Sequence, residues 1–443
     1  MTADKIILGK NEVYSTDCSK TGLNNNVIVC GGSGSGKTMS VTEPMFLEAH
    51  NTSIIATVTK RRIVEKYSPM FAERGYVVED LNFIHPEFST VSYDPMMYIQ
   101  SSADITFLAE SIVCSDPRKE NSVADPYWDN AAVSLLSAEI AYIQKKIPSA
   151  TFADVIEFHN SLTFREGDGR ISSNFDRIFQ KLEEEEPNCF AVSCWKSFGA
   201  LPVRTAGCVF GALNTQIDRI FSKELLQMFK MRNKLDFKKI ADRRTVLFVS
   251  TSAVNPALNS FINMFYSQAF KQLFEYAEDL PDGKLPIPVR VICDDFATGC
   301  RILNFPEYIS IFREKQISVT LLIQSESQLE NMYGSYNATT IINNCDTYLF
   351  MGSMDLKTGR NVSERINLPL DEVLYMPIGR EFIFRRGQRP VITQRYDIVN
   401  DERYCDITAA YEKKIAERKK PNPDTTEGFD KLFRKRFDTG KTG

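Results

Sequence analysis

The sequence predicts an α/β protein with a mostly parallel central sheet, interrupted by an all-α part, and three observations carry that prediction. Short apolar runs alternate with stretches of helical spacing from residue 27 to residue 81. The alternation stops between about Asp104 and Lys230, where apolar residues recur at three and four. It resumes at Thr245 and continues to Arg395. Strand following helix following strand is the pattern of a parallel sheet covered on both faces.

Residues 1–22 form a β-rich lead-in, with runs at Lys5–Gly9 and Val13–Ser15. Val27–Cys30 is an apolar strand, followed by a Gly/Ser loop and a helix-compatible stretch, Met39–His50. Ser53–Thr57 is a short strand, Lys60–Glu73 has helical spacing and Tyr76–Leu81 is strand-like. In the middle, Leu135, Leu136, Ile140 and Ile143 share one helical face. Glu183–Glu186 reads as a solvated face or loop, and Ala191–Phe210 and Leu213–Phe229 as further helices. Strands are expected again at Thr245–Ser250, Val289–Asp295, Ser318–Gln324, Thr347–Phe350, Glu381–Phe384 and Val391–Arg395. The last stretch, from about Lys419, reads as a flexible tail. The expected division is a nucleotide-binding part at 1–98, an all-α part at 99–235, the rest of the nucleotide-binding part at 236–415 and a tail at 416–443.

The totals bound the function. A chain of 443 residues has room for two domains and a sizeable core. No apolar run approaches the ~18–20 residues that span a bilayer. The N-terminal residues lack an apolar signal region, so a membrane role is expected to need a partner or a removed segment. Ten cysteines stand singly, with no C-x-x-C, and read as reduced, cytosolic and mostly buried thiols. His50, His85 and His159 lie far apart, which argues against zinc. A net charge of −4 argues against a uniformly basic nucleic-acid coat but leaves room for a basic pore lining. Basic clusters at Lys60–Arg62 and at Lys431, Arg434, Lys435 and Arg436 read more readily as solvated surface.

Gly31, Gly32, Ser33, Gly34, Ser35, Gly36, Lys37 and Thr38 fit G-x-x-x-x-G-K-[ST]. Glycines let successive backbone N–H groups curl inward onto phosphate oxygens. The helix that follows adds its N-terminal N–H groups and partial positive charge. Lys37 then reaches the β- and γ-phosphates of ATP, and the Thr38 hydroxyl ligates Mg²⁺. Such a loop needs an acidic partner on another strand. Asp294 and Asp295 close an apolar run and supply it, with Asp294 orienting the metal and Asp295 activating water. Paired acids at a strand end also cap helices. Gln324 closes the next run, where a polar residue can contact the γ-phosphate or the water; a buried structural amide is the alternative. Arg313 lies between the two runs. A neighbouring subunit's arginine is a common neutraliser of transition-state charge, though by spacing alone Arg313 is a surface residue.

These residues resemble the type IV coupling proteins of bacterial conjugation and secretion, the TraG/TraD-like DNA-transfer ATPases. The likeness runs through Asn24–Thr38, Tyr93–Met96, Asp125–Ala132, Asp294–Ala297, Phe312–Glu314 and Gln324–Leu329, with Tyr333 and Gly334 after it. It implies a RecA-like nucleotide domain carrying an all-α domain. It also implies homo-hexamers with ATP between subunits and single-stranded DNA through a central channel. The implied partners are a relaxase with its relaxosome and the components of a type IV secretion channel, and the implied place is the inner face of the bacterial membrane. Arg313 falls where the family's inter-subunit arginine is expected. The all-α domain, with Trp128 and Trp195 expected in its core, is where relaxosome components would be recognised.

Three departures stand out. The second acid is usually Glu, and Asp295 is one methylene shorter. The strand after the loop's helix often ends Asp-Pro-Lys-Gly, and only Lys60 remains of that here. The usual N-terminal transmembrane helices are absent from this sequence, so an anchored partner or a removed segment is expected. The shorter acid leaves a second reading open, a non-hydrolysing docking platform gated by nucleotide. A third, a related chromosome-pumping or secretion-channel ATPase, shares the motor but not the helical opening at Asp125.

Overall fold

The computed structural model describes residues 3–114, 126–165, 172–252, 256–296 and 301–419. Its strands are, in order, β1 (Lys5–Gly9), β2 (Glu12–Ser15), β3 (Val27–Cys30), β4 (Ser53–Val58), β5 (Val77–Asn82), β6 (Phe164–Arg165), β7 (Ser172–Ser173), β8 (Thr245–Ser250), β9 (Val289–Cys293), β10 (Ile317–Ile323), β11 (Thr347–Phe350), β12 (Arg380–Arg385) and β13 (Val391–Gln394). Nine of them make one sheet in the order β13-β12-β11-β3-β10-β9-β4-β8-β5. Every pairing in it is parallel except β11 with β12 and β12 with β13.

The central strands are buried along their whole length because both faces are covered. Alternation within β3 shows the two faces: Val27 and Val29 enter one core and Ile28 and Cys30 the other. The first core lies under the helix Arg61–Glu73 and the β1–β2 hairpin. The second is continuous with the core of the helical part.

The helical part fills the gap between β5 and β8 in sequence. Its longest helix, Pro126–Lys146, packs on Ser102–Val113, Phe152–Asn160 and Phe190–Gly199. Ser101 caps the first of these reciprocally: its hydroxyl accepts from Asp104 N, and its own N–H donates to the Asp104 carboxylate at 2.7 Å. The chain enters and leaves this part at adjacent points. Ser92 N donates to Asn233 O and Leu235 N donates to Ser92 O, each at 2.8 Å. Two residues on, Asp94 accepts from Met96 N at 3.0 Å and from Phe152 N at 3.2 Å, which ties a helix start of the helical part to the sheet part. The helical part is not all-α, because it also holds the small β6–β7 pair.

Several sequence expectations change. The expected helix Met39–His50 is a π-helical turn, Thr38–Thr42, followed by a short α-helix, Glu43–Leu47. Ala191–Phe210 is two helices, Phe190–Gly199 and Val203–Ile220, because Pro202 cannot continue the first. Leu213–Phe229 is likewise broken, with Lys223–Met228 starting at the Ser222 cap. Glu183–Glu186 is a helix end in which Glu183 pairs with Lys196 and Glu185 with Lys146 at 2.9 Å. Trp195 is buried and stacked on Phe179, but Trp128 is 45% exposed, with its ring edge on Tyr127, and is not core. Among the described cysteines only Cys30, Cys293 and Cys345 are buried, so the thiols are not mostly buried. Of the histidines, His159 is buried against Glu139 at 2.9 Å. No described helix is long and apolar enough to cross a membrane. The expected tail from Lys419, Asp125 and Ala297 fall wholly or largely outside the described residues, and Lys419 closes the helix Glu402–Lys419.

Candidate nucleotide site

The parallel strands β3, β9, β10 and β11 end side by side, and the residues that leave their carboxyl ends meet there. Cys293 on β9 pairs with Leu321 on β10, which pairs with Ile28 on β3. This register places Asp294 beside the loop that follows Cys30. A cleft of about 590 Å³ opens at this edge, lined by Ser33–Met39, Asp294, Asp295 and Gln324, among others. Open parallel sheets hold ligands at such strand ends.

The loop has the backbone that its glycines permit. Gly34 and Gly36 sit at φ 78° and 92°, in the left-handed region. A Cβ on Gly31 would meet the Ser35 hydroxyl at 2.6 Å, so the loop closes only because residue 31 has no side chain. Lys37 bends back inside the turn, its ammonium donating to the carbonyls of Gly31 and, at 3.2 Å, Gly32. The Thr38 hydroxyl donates to Asp294 Oδ2 at 3.2 Å, joining residues 256 apart in sequence. Burial lowers the Lys37 ammonium from its usual range, with Asp295 and Asp294 opposing. Burial, then repulsion from Asp295, raises the Asp294 carboxyl, with the Thr38 hydrogen bond and Lys37 opposing.

These residues fit a magnesium nucleotide. The loop is a cradle that a Cβ would fill, and Ser35 Oγ in it and Thr251 Oγ1 at the cleft wall are buried without a hydrogen-bond partner among the described residues. A hydroxyl and a carboxylate in mutual contact are hard oxygen donors of the kind that Mg²⁺ takes alongside phosphate.

The remaining candidates separate. Asp295 lines the cleft at φ 53°, a left-handed conformation that Asp tolerates better than most side chains. Gln324 lines it too, its N–H donating to Gln328 Oε1 at 3.3 Å and its carbonyl accepting from the Ser353 hydroxyl at 3.4 Å. Arg313 does not join them. It is exposed in the turn before Ile317, at the amino end of β10, the edge opposite the cleft, where its charge acts on Cys18. Of the first basic cluster, Lys60 and Arg62 line the cleft while Arg61 pairs with Asp80, and the second cluster lies outside the described residues.

Sequence reasoning missed the far wall of the cleft: Thr251 and Ser252 after β8, and Asn259, Asn263 and Tyr266 on the helix Pro256–Asp279. Tyr266 shares a short hydrogen bond with Thr57. No local motif marks these residues; only their place at a strand end, beside β4, could have suggested them.

The family model described as Type IV secretory system Conjugative DNA transfer matches residues 2–368. No curated protein matches the chain. Among solved structures, the bacterial conjugative coupling protein TrwBΔN70, in a trigonal form with sulphate, is 14% identical with a TM-score of 0.61 over 84% of this chain and 85% of that one. The plasmid coupling protein TrwB in complex with the non-hydrolysable ATP analogue ADPNP is 14% identical with a TM-score of 0.63 over the same shares, and a further TrwB structure is a complex with ADP and Mg²⁺. VirB4 of Thermoanaerobacter pseudethanolicus is 13% identical with a TM-score of 0.57, covering 90% of this chain and 98% of that one. At these identities the likeness is one of fold, an α/β fold on a mostly parallel sheet.

Proposed function

The chain belongs to the type IV secretory system conjugative DNA transfer family, and we propose that it works there as an ATP-driven coupling protein. In this reading it takes up relaxase-bound single-stranded DNA and pumps it toward the secretion channel, as a ring of six copies. The ring stands at the inner face of the bacterial membrane, held by an anchored partner or by an N-terminal segment outside this sequence.

One observation carries the reading: the Thr38 hydroxyl meets the Asp294 carboxylate at the mouth of a glycine loop that encloses Lys37. In the proposed site the N–H groups of Gly31–Thr38 and the Lys37 ammonium hold the phosphates of ATP. Thr38 and Asp294 would hold Mg²⁺, which would supply positive charge against the phosphate oxygens. Asp295 orients and activates the attacking water, and Gln324 contacts the water or the γ-phosphate. Arg313 stands at the wrong edge to serve its own cleft, which supports a role at the cleft of a neighbour. Exposed apolar side chains support such a neighbour. Met354 and Leu356 follow Gly352, whose carbonyl accepts from Gly32 N, and Tyr375 and Ile378 flank Met376, which packs on Gly352.

The test is ATP turnover with and without single-stranded DNA. The motor reading expects DNA to stimulate turnover, and Lys37→Ala and Asp295→Asn each to lower it by roughly 10²-fold or more. A second reading, a nucleotide-gated docking platform without hydrolysis, is favoured by the short Asp295 side chain in its left-handed turn. Tight ATP binding with no turnover above that of Lys37→Ala would establish the platform and sink the motor.

A further inference from the structure

The C-terminal hairpin brings to the phosphate loop a cation that the loop motif does not contain. β12 and β13 pair antiparallel at the sheet edge, and Arg395 N donates to Gly379 O at 2.7 Å just past the last strand pair. This sets Arg395 at the edge from which the loop emerges. Its Nη1 lies 3.5 Å from Ser35 O, and a Cβ on Gly36 would stand 3.0 Å from the same nitrogen. A side chain at residue 36 would crowd the guanidinium where it lies on the Ser35–Gly36 peptide, and φ 92° at that position itself favours glycine.

The charge of this arginine is uncommitted. Among the described residues Arg395 makes no ion pair, and it is exposed. The one carboxylate in residues 380–395 is Glu381, on the neighbouring strand opposite Thr393. Glu381 is 0% exposed, and among the described residues neither of its oxygens has a hydrogen-bond partner. Burial pushes its carboxyl up to about 8, with the Arg395 charge opposing. At neutral pH the acid that could have neutralised Arg395 is therefore largely protonated. An exposed guanidinium at a phosphate-binding turn, without a carboxylate of its own, has the chemistry of a phosphate ligand.

We propose that Arg395 is a phosphate ligand supplied in cis by the C-terminal hairpin, contacting the α/β end of a bound nucleoside di- or triphosphate. The α/β end follows from placement. Asp294, Asp295 and Gln324 line the cleft and mark the side where the terminal phosphate reacts, whereas Arg395 is not among the lining residues and reaches the loop from outside the cleft, at Ser35–Gly36 on the sheet edge. The inference rests on the nucleotide-site reading above.

The experiment measures equilibrium affinities of the full chain for ADP and ATP with Mg²⁺, using fluorescent analogues, across Arg395→Ala, Arg395→Lys and Arg395→Gln. Losing one charge-assisted contact should weaken both nucleotides by about tenfold in Arg395→Ala. Arg395→Lys should recover part of the loss, and Arg395→Gln, which can still donate to Ser35 O, should not. If Gln restores affinity as well as Lys does, the arginine merely props the loop and the proposal falls. It also falls if Ala leaves both affinities within about twofold, or weakens ATP alone. A Lys37→Ala control keeps the two readings apart. Unchanged ATP affinity there would refute the nucleotide site itself, whereas its loss alongside an inert Arg395→Ala would refute only the role of Arg395.

Discussion

At the scale of single residues, the site is a set of backbone necessities joined to a few charges. Gly31, Gly34 and Gly36 are there because the loop needs two left-handed residues and one position where a hydroxyl crowds the backbone. Asp295 is the residue at which sequence and family pattern part. A longer acid would extend further into the cleft but would pay more in the left-handed backbone at φ 53°. Asp295→Glu is therefore expected to raise ATP turnover while lowering stability by about 1 kcal/mol. Steady-state rates together with urea midpoints check both halves. A variant slower than wild type would show that reach to the water is not limiting. Asp294→Asn removes the carboxylate that meets Thr38. It should weaken Mg²⁺-ATP far more than metal-free ATP; equal weakening of the two in a binding titration would contradict the metal role.

At the scale of elements, the sequence was legible wherever local pattern and tertiary demand agree. The six runs that became β3, β4, β8, β9, β10 and β11 were readable because a strand covered on both faces is apolar along most of its length. Helix ends were less so: the break at Pro202 is a local proline effect that apolar periodicity runs straight through, and the π-turn at Thr38–Thr42 answers to the loop before it. The Tyr93–Met96 segment stood out in the sequence without a role, and the structure gives it one. Asp94 caps its own short helix and also accepts from Phe152 N across the junction. Burial pushes its carboxyl up to about 6, so the folded chain takes up this proton at a pH where the unfolded chain has not. The linked stability is fully present below the unfolded value near 3.8 and is lost as pH rises through 6. Wild type should therefore gain on Asp94→Asn by roughly 2–3 kcal/mol between pH 7.5 and pH 4. Urea unfolding of both proteins at the two pH values measures it, and a pH-independent gap would show that Asp94 does not titrate there.

At the scale of the whole molecule, what stayed illegible is what folding alone brings to the cleft or keeps from it. The loop, its acids and Gln324 converge because parallel strands end at one edge, and the alternation of strand and helix already announced that edge. Arg313 and Arg395 show the two ways in which such reasoning runs out. Arg395 arrives from the last hairpin through tertiary folding that spacing does not encode, and Arg313 lies before the amino end of β10, at the sheet edge opposite the cleft. If a neighbouring copy supplies Arg313, each working site is a composite of two chains, and defects in different halves can complement. An Arg313→Ala chain keeps its loop but denies an arginine to its neighbour; a Lys37→Ala chain lacks its own site but still offers Arg313. Each alone should be inactive. Mixed one to one, they should regain activity, because an Arg313→Ala loop seated beside a Lys37→Ala subunit is complete. Randomly mixed six-membered rings contain that junction at about one quarter of their interfaces, so about a quarter of wild-type turnover per subunit is the expected ceiling when sites fire independently. Substituting Ile378→Asp on the exposed apolar rim should abolish the recovery by preventing assembly, with the monomer fold retained. No recovery in a mixture shown by native mass spectrometry to contain mixed rings would place Arg313 outside the reaction.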